Sequence, residues 1–163
     1  NIQNMLEPIY AENRLGIRLD ELWQVLDGLN TMEMETVRMI SRSRSEICIL
    51  AEQFNWYPKV REELISALDR KVKVRVILLV NNEDMKERIE EIKRLGIQIK
   101  QSPCEWRLTR FTIADNNELL FLVWARKTGD SKVYFRPGYS KNAGLVSVFQ
   151  DSFELLWEKA KMI

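Results

Sequence analysis

Apolar positions along this chain alternate between two patterns, a helical period and short continuous runs, and that alternation organises most of its length. Ile2, Met5, Leu6, Ile9 and Tyr10 make one stripe over residues 2–15, which predicts a helix kinked or shortened by Pro8. An apolar run at 22–26, closed by Asp27-Gly28, predicts a strand. Thr31 opens a helix with Met34, Val37 and Ile40 on its apolar side, and the Ile- and Leu-rich run at 46–51 predicts the next strand. Tyr57-Pro58 starts another helix, carrying Val60, Leu64, Ala67 and Leu68 on one face and ending in Asp69-Arg70-Lys71. Residues 72–80 give the strongest strand signal of the chain. Asp84 then caps a helix lined by Met85, Ile89 and Ile92, Gly96 stops it, and 97–99 is a short strand.

To this point the order is βαβαβαβ, which predicts an α/β fold with a largely parallel sheet covered by helices. The pattern changes beyond Pro103. Residues 108–114 and 119–125 predict two strands joined across Asp115-Asn116-Asn117-Glu118, and 132–135 a third after Thr128-Gly129-Asp130, so the sheet is mixed. A long amphipathic helix over 143–161 closes the chain, with Leu145, Val148, Phe149, Phe153, Leu156, Trp157 and Ala160 on its apolar side. No internal repeat or low-complexity segment interrupts this order.

Composition narrows the possibilities. At 163 residues the chain is one domain of ordinary size, and 45% apolar with 30% charged residues is the balance of a globular protein. A formal net charge of +1 gives no overall pull toward nucleic acid, whose partners carry clustered Lys and Arg. Cys48 and Cys104 form no C-x-x-C motif or Cys/His cluster, so neither a disulfide framework nor a zinc site is expected, and a reducing cytoplasm suits the chain. Cys48, inside Ile47-Cys48-Ile49-Leu50, reads as a small core residue. The longest apolar stretch, 118–125, is strand-sized, well short of the about 18 residues of a membrane span. No signal peptide is visible, and a start at Asn1 reads as a segment of something longer.

The segment with most chemical content is Leu108-Thr109-Arg110-Phe111-Thr112-Ile113-Ala114-Asp115. It resembles the half-site motif of the phospholipase D superfamily, His-x-Lys-x-x-x-x-Asp. Asp115 fills the acidic place, Arg110 stands where the lysine belongs, and Leu108 where the histidine belongs. In that chemistry the imidazole attacks phosphorus, and covalent catalysis needs a group that forms and then releases a bond. Leucine has none, and the chain contains no histidine.

Further segments extend the resemblance. Strand 46–51, the Pro58 helix and Leu68-Asp69-Arg70-Lys71-Val72-Lys73-Val74-Arg75-Val76-Ile77-Leu78 look like the opening of a phospholipase-D-like domain. Asp20-Glu21-Leu22-Trp23-Gln24-Val25, with Phe153-x-x-x-Trp157 in the last helix, resembles the middle domain of TrmB-type archaeal and bacterial transcriptional regulators, over roughly residues 19–160. The resemblance implies a three-layer α-β-α sandwich at 19–163, preceded at 1–18 by a linking or dimerising helix. It also implies a homodimer, an N-terminal winged helix that reads DNA and lies outside this chain, and a possible sugar or anion effector. No cofactor, metal or membrane partner is implied.

Candidate ligand-binding residues follow from both lines. Alternation puts Leu108, Arg110 and Thr112 on one strand face with Asp115 at its end. Arg110 and Asp115 can pair with each other or hold a phosphate or sugar oxygen; the plainer alternative is a turn aspartate and a structural ion-pair arginine. Asn55 and Trp56 follow strand 46–51 and Asn81 follows strand 72–80, where open parallel sheets place ligands. Packing over the core, for the aromatics, and an ordinary helix entry at Asn82-Glu83-Asp84 are the competing readings. Arg126, Lys127, Lys132, Arg136 and Lys141 form a mildly basic late tract, and the carboxylate pairs Glu62-Glu63 and Glu90-Glu91 lie on charged helix faces without catalytic character.

The sequence therefore points to a non-catalytic effector-sensing or dimerisation domain. Two alternatives stand beside it: a divergent phosphodiesterase or nuclease with another nucleophile, and a direct nucleic-acid-binding module using the late basic tract.

Overall fold

In a computed structural model, which describes residues 22–104, 109–126, 129 and 133–163, two Ile-, Leu- and Val-rich runs form neighbouring parallel strands inside an eight-stranded sheet. The elements are β1 (Gln24–Val25), α1 (Leu29–Arg42), β2 (Glu46–Ala51), α2 (Tyr57–Asp69), β3 (Lys73–Leu78), α3 (Lys86–Arg94), β4 (Gln98–Gln101), β5 (Thr109–Ala114), β6 (Glu118–Arg126), β7 (Val133–Ser140), α4 (Ala143–Lys159) and β8 (Lys161–Met162). Their order across the sheet is β1-β7-β6-β5-β2-β3-β4-β8. The predicted helix at 2–15, Leu108, Lys127 and Lys132 lie outside the described residues.

The sheet is mixed, but the expectation that it is largely parallel is corrected. Only the β2–β3 and β3–β4 neighbours run parallel; every other described pair is antiparallel. Two causes stand out. The run at 22–26 contributes a two-residue edge strand beside β7 instead of joining the parallel set. The tight turn at Asp115-Asn116-Asn117 joins β5 to β6, and so short a connection permits only antiparallel pairing.

Side-chain alternation then builds two cores. Ile47, Ile49 and Ala51 of β2 with Val74, Val76 and Leu78 of β3 face α1, α2 and α3. Cys48, Leu50, Ile77, Phe111 and Ile113 face α4, where Val146, Phe153 and Leu156 meet them. The result is a three-layer α-β-α sandwich with buried strands at its centre. The expected stripes of two helices hold except at one position each. In α1, Val37 and Ile40 pack inward with Thr36 and Met39, leaving Met34 exposed; in α4, Leu145, Phe149, Phe153, Leu156, Trp157 and Ala160 pack inward with Val146 and Gln150, leaving Val148 exposed. Asp84 sits inside a 3-10 turn, Glu83–Met85, and caps nothing. Gly96 does end α3: at φ 94° its N–H reaches the Lys93 carbonyl at 3.0 Å, and Ile97 N–H reaches Ile92 at 3.3 Å.

A buried cation crosses the α4 layer. Arg75 is 5% exposed. Its Nη1 donates to Glu154 Oε2 at 2.8 Å, its Nη2 to Glu154 Oε1, and its guanidinium lies 5.1 Å from the Phe153 ring centre and 5.4 Å from that of Trp157. The hydrogen bonds it donates to Glu154 raise its pKa further above the ordinary guanidinium range, against the opposing effect of burial.

β7 is longer than the predicted 132–135 because it runs on through Pro137-Gly138 to Ser140. Pro137 O accepts from Leu26 N–H at 3.0 Å on the β1 side. A residue's nitrogen and carbonyl point the same way in a strand, so the missing Pro137 N–H removes no bond from the β6 ladder. Gly138 lies opposite Phe121, and a Cβ there would overlap the Phe121 ring. That ring is already packed 5.7 Å from Phe149 and 5.9 Å from Trp23. Gly138→Ala is therefore expected to cost about 1–3 kcal/mol, the range of an overpacked core, as a lower midpoint in urea unfolding at unchanged slope.

Candidate functional site

β5 presents alternate residues to the two faces: Phe111 and Ile113 go to the α4 core, and Arg110 and Thr112 to the α1 side. There, between α1, the sheet and the loop linking β2 to α2, lies a cleft of about 470 Å³. That volume suits a small molecule, whose sites commonly span about 300–1,000 Å³. Arg110, Thr112, Leu122 and Phe135 line its sheet side, Leu29, Met32, Glu33 and Thr36 its α1 side, and residues 52–56 with Lys59 its end.

Arg110 is the least exposed charge among the described residues that line this cleft. Its side chain is 13% exposed, its Nη2 lies 3.2 Å from Glu52 Oε2, and its guanidinium carbon is 6.0 Å from the Phe135 ring centre. Burial lowers its pKa and Glu52 offsets part of that effect, yet a guanidinium remains a cation at any physiological pH. A second ion pair bridges α2 to α1 at the same cleft, with Lys59 Nζ at 2.7 and 2.8 Å from the two carboxylate oxygens of Glu33.

The loop after β2 is shaped by Phe54, which holds φ at 53° although it is not glycine. Its buried ring explains why the chain tolerates this: it meets the Trp56 ring edge-on at 4.6 Å and the Tyr57 ring at 5.5 Å. Anchoring Phe54 in the core places Asn55 and Trp56 at the cleft, where both line it. Of the sequence candidates, the cleft thus gathers Arg110, Asn55 and Trp56.

Asp115 and Asn81 are placed elsewhere. Asp115, at φ 56°, accepts from three consecutive backbone N–H groups, Arg44 at 3.0 Å, Ser45 at 2.8 Å and Glu46 at 3.1 Å, and from the Ser45 hydroxyl at 2.9 Å. Burial pushes its pKa up, but the donors from Ser45, Glu46 and Arg44 outweigh that and hold the carboxyl below the usual range. It clamps the α1–β2 connection to the end of β5. Arg110 lies five residues back along an extended strand, roughly 17 Å away at 3.4 Å per residue, so the two do not pair. Asn81, exposed beyond β3, donates to Gln101 Oε1 at 3.4 Å and does not line the cleft.

Sequence reading missed Glu52, Lys59, Glu33 and Phe135. Glu52 follows β2 directly, in the zone that flagged Asn55 and Trp56, and that position was the available signal. The other three reach the cleft only through the packing of α1, α2 and β7 and carry no local signature. Among the described residues no three His, Cys, Asp or Glu side chains are grouped to hold a metal ion, and no helix is long and apolar enough to cross a membrane. The cleft's polar groups suit binding and orientation of a ligand through charge-assisted hydrogen bonds.

Among solved structures, Nuc from Salmonella typhimurium, a phospholipase D family member, is similar to this chain with a TM-score of 0.68 and 15% identity, over 86% of this chain and 97% of that one. The fold is phospholipase-D-like. NucT from Helicobacter pylori matches this phospholipase-D-like chain over the same shares, 86% and 97%, at TM-score 0.65 and 12% identity. TrmBL2, an archaeal chromatin protein whose structure shows a novel mode of DNA binding, matches at TM-score 0.65 and 20% identity. That match covers 99% of this chain, which spans 62% of the length of TrmBL2. At these identities the likeness is one of fold. No family model and no curated protein matches the sequence.

Proposed function

We propose that this phospholipase-D-like chain is a non-catalytic regulatory domain of a TrmB-type transcriptional regulator. It acts in the cytoplasm, senses a small effector in the Arg110 cleft and pairs with a second copy. DNA is read by a winged-helix domain that this chain does not include. The observation that carries the reading is chemical. The half-site motif keeps a cation at Arg110 inside a cleft of ligand size, while the position of its nucleophile holds Leu108 and no histidine occurs in these 163 residues. A cation with shape can recognise an anion or a polar molecule, but covalent phosphoryl chemistry needs an atom that attacks. The likeness to TrmBL2, which binds DNA, supports placing such a fold beside DNA. The formal net charge of +1 supports leaving the grip on DNA to another domain.

A thermal-shift screen of sugars, sugar phosphates and small organic acids tests the sensing role. An effector at about 100 times its Kd stabilises the folded state by about 2.7 kcal/mol. The expected result is a class of compounds that raises Tm in the native chain and loses its effect in Arg110→Met. Silence across every class, together with duplex DNA binding that weakens steeply with salt, would move the chain to the nucleic-acid-binding reading.

A further inference from the structure

The cation of the cleft is held by a carboxylate that has somewhere else to go. Arg110 is 13% exposed and fixed on β5 among the sheet-side residues of the cleft. Glu52, its partner at 3.2 Å, stands on the loop just past β2 with 49% of its side chain in water. A half-exposed glutamate loses little by swinging fully into solvent, whereas a buried guanidinium cannot follow it.

We infer that Glu52 is an internal stand-in for a ligand, and that the cleft takes a small monocarboxylate with an apolar or aromatic body. The ligand's carboxylate displaces Glu52 from Arg110, and its body lies between Leu29, Met32, Trp56 and Phe135. This assignment rests on the effector-cleft reading above and specifies its ligand class.

Three features of the site select that chemistry. First, Arg110 already receives a carboxylate in this structure, and the guanidinium fork matches a planar carboxylate. Second, among the described residues that line it the cleft is balanced in charge, with Arg110 and Lys59 set against Glu52 and Glu33. Replacing Glu52 by one external carboxylate preserves that balance. A phosphate monoester would carry an extra negative charge into a partly desolvated site, and a neutral sugar has nothing with which to compete against Glu52. Third, apolar side chains stand in water at the mouth beside the charged ones, since Leu29 is 52% and Phe135 41% exposed beside the cleft. An apolar ligand body covers both, and the Phe135 ring near Arg110 provides a face for it.

The stand-in also explains how occupancy is signalled. Glu52 begins the loop that contains Phe54, Asn55 and Trp56 and runs into α2, and α2 is tied to α1 through Lys59 and Glu33. Release of Glu52 removes one tie between that loop and β5, and the change passes to two helices.

Calorimetry with phenylacetate, phenyl phosphate and benzyl alcohol tests the assignment on the native chain and on Glu52→Gln. If Glu52 covers Arg110 nine-tenths of the time, its neutralisation tightens apparent binding about tenfold. The expected pattern is phenylacetate binding in the native chain, about tenfold tighter in Glu52→Gln, lost in Arg110→Met, with no heat from benzyl alcohol. Glu52 is half exposed, so its variant keeps the fold; should Arg110→Met unfold, the Glu52→Gln comparison decides alone. Equal or weaker phenylacetate binding in Glu52→Gln, or none in either protein, overturns the proposal. Phenyl phosphate or benzyl alcohol binding more tightly than phenylacetate overturns the carboxylate assignment and leaves the effector cleft standing.

Discussion

Asp115→Ala is expected to lower stability by about 2–4 kcal/mol while leaving ligand binding at Arg110 intact. The carboxylate accepts from the N–H groups of Arg44, Ser45 and Glu46 and from the Ser45 hydroxyl, so its removal strips four donors at once. Water replaces part of this, because the connection between α1 and β2 is partly exposed. Alanine adds a second cost, since the position holds φ at 56°, where a Cβ-bearing residue without a hydrogen-bonding side chain is disfavoured by about 1–2 kcal/mol. Asp115→Asn tolerates that backbone and keeps one acceptor, so about half the loss is expected. For a chain of this size, each kcal/mol moves Tm by about 2–4 °C, which thermal melts resolve.

The same carboxylate sets an acid limit. Asp115 and Glu118 both titrate below their ordinary values in the folded chain. In each, burial acts upward and is outweighed, by the backbone donors at Asp115 and by hydrogen bonds from Arg42 and Tyr139 at Glu118. A depressed folded pKa means that the stabilisation is present above the unfolded value, about pH 4, and is lost as pH falls through the folded value. Melts between about pH 6 and pH 3 should therefore show Tm falling at the acid end, and falling less in Asp115→Asn because one contributor is gone.

Arg75→Ala is expected to cost about 3–5 kcal/mol, the largest loss of any single change considered. The guanidinium is 5% exposed, bonded to Glu154 and covered by the rings of Phe153 and Trp157, so alanine leaves both a cavity and a stranded carboxylate. Glu154 is 46% exposed and can rehydrate, so most of the loss comes from lost packing between β3 and α4. Arg75→Met, which refills the volume, should recover roughly half, and adding Glu154→Gln should recover more. Urea unfolding of the three variants separates these contributions; equal losses in Arg75→Ala and Arg75→Met would assign the effect to charge instead.

How much of this the sequence disclosed depends on the range over which each feature is decided. β2, α2, β3 and α3 were legible because their apolar periods are local. So was the shared face of Arg110 and Thr112, which follows from strand alternation. The stripes of α1 and α4 were misjudged at Met34 and Val148 because the buried phases include Thr36 and Gln150, polar residues that a hydrophobic count passes over. Strand direction was misjudged because the placement of β5 beside β2 is a long-range choice that no local pattern records. At the site, the motif leaves open whether Arg110 and Asp115 pair; the structure takes the plainer alternative, with Asp115 on the backbone of 44–46 and Arg110 in an ion pair with Glu52. Glu52 reached Arg110 through that same β2–β5 pairing and had no motif to mark it.

Hydrolysis of bis(p-nitrophenyl) phosphate by the purified chain tests the central claim, that the remnant half-site recognises but does not react. The expected result is release of p-nitrophenol no faster than in buffer, and no difference between the native chain and Arg110→Met. Multiple turnovers that vanish in Arg110→Met would contradict it and make the cleft an active site.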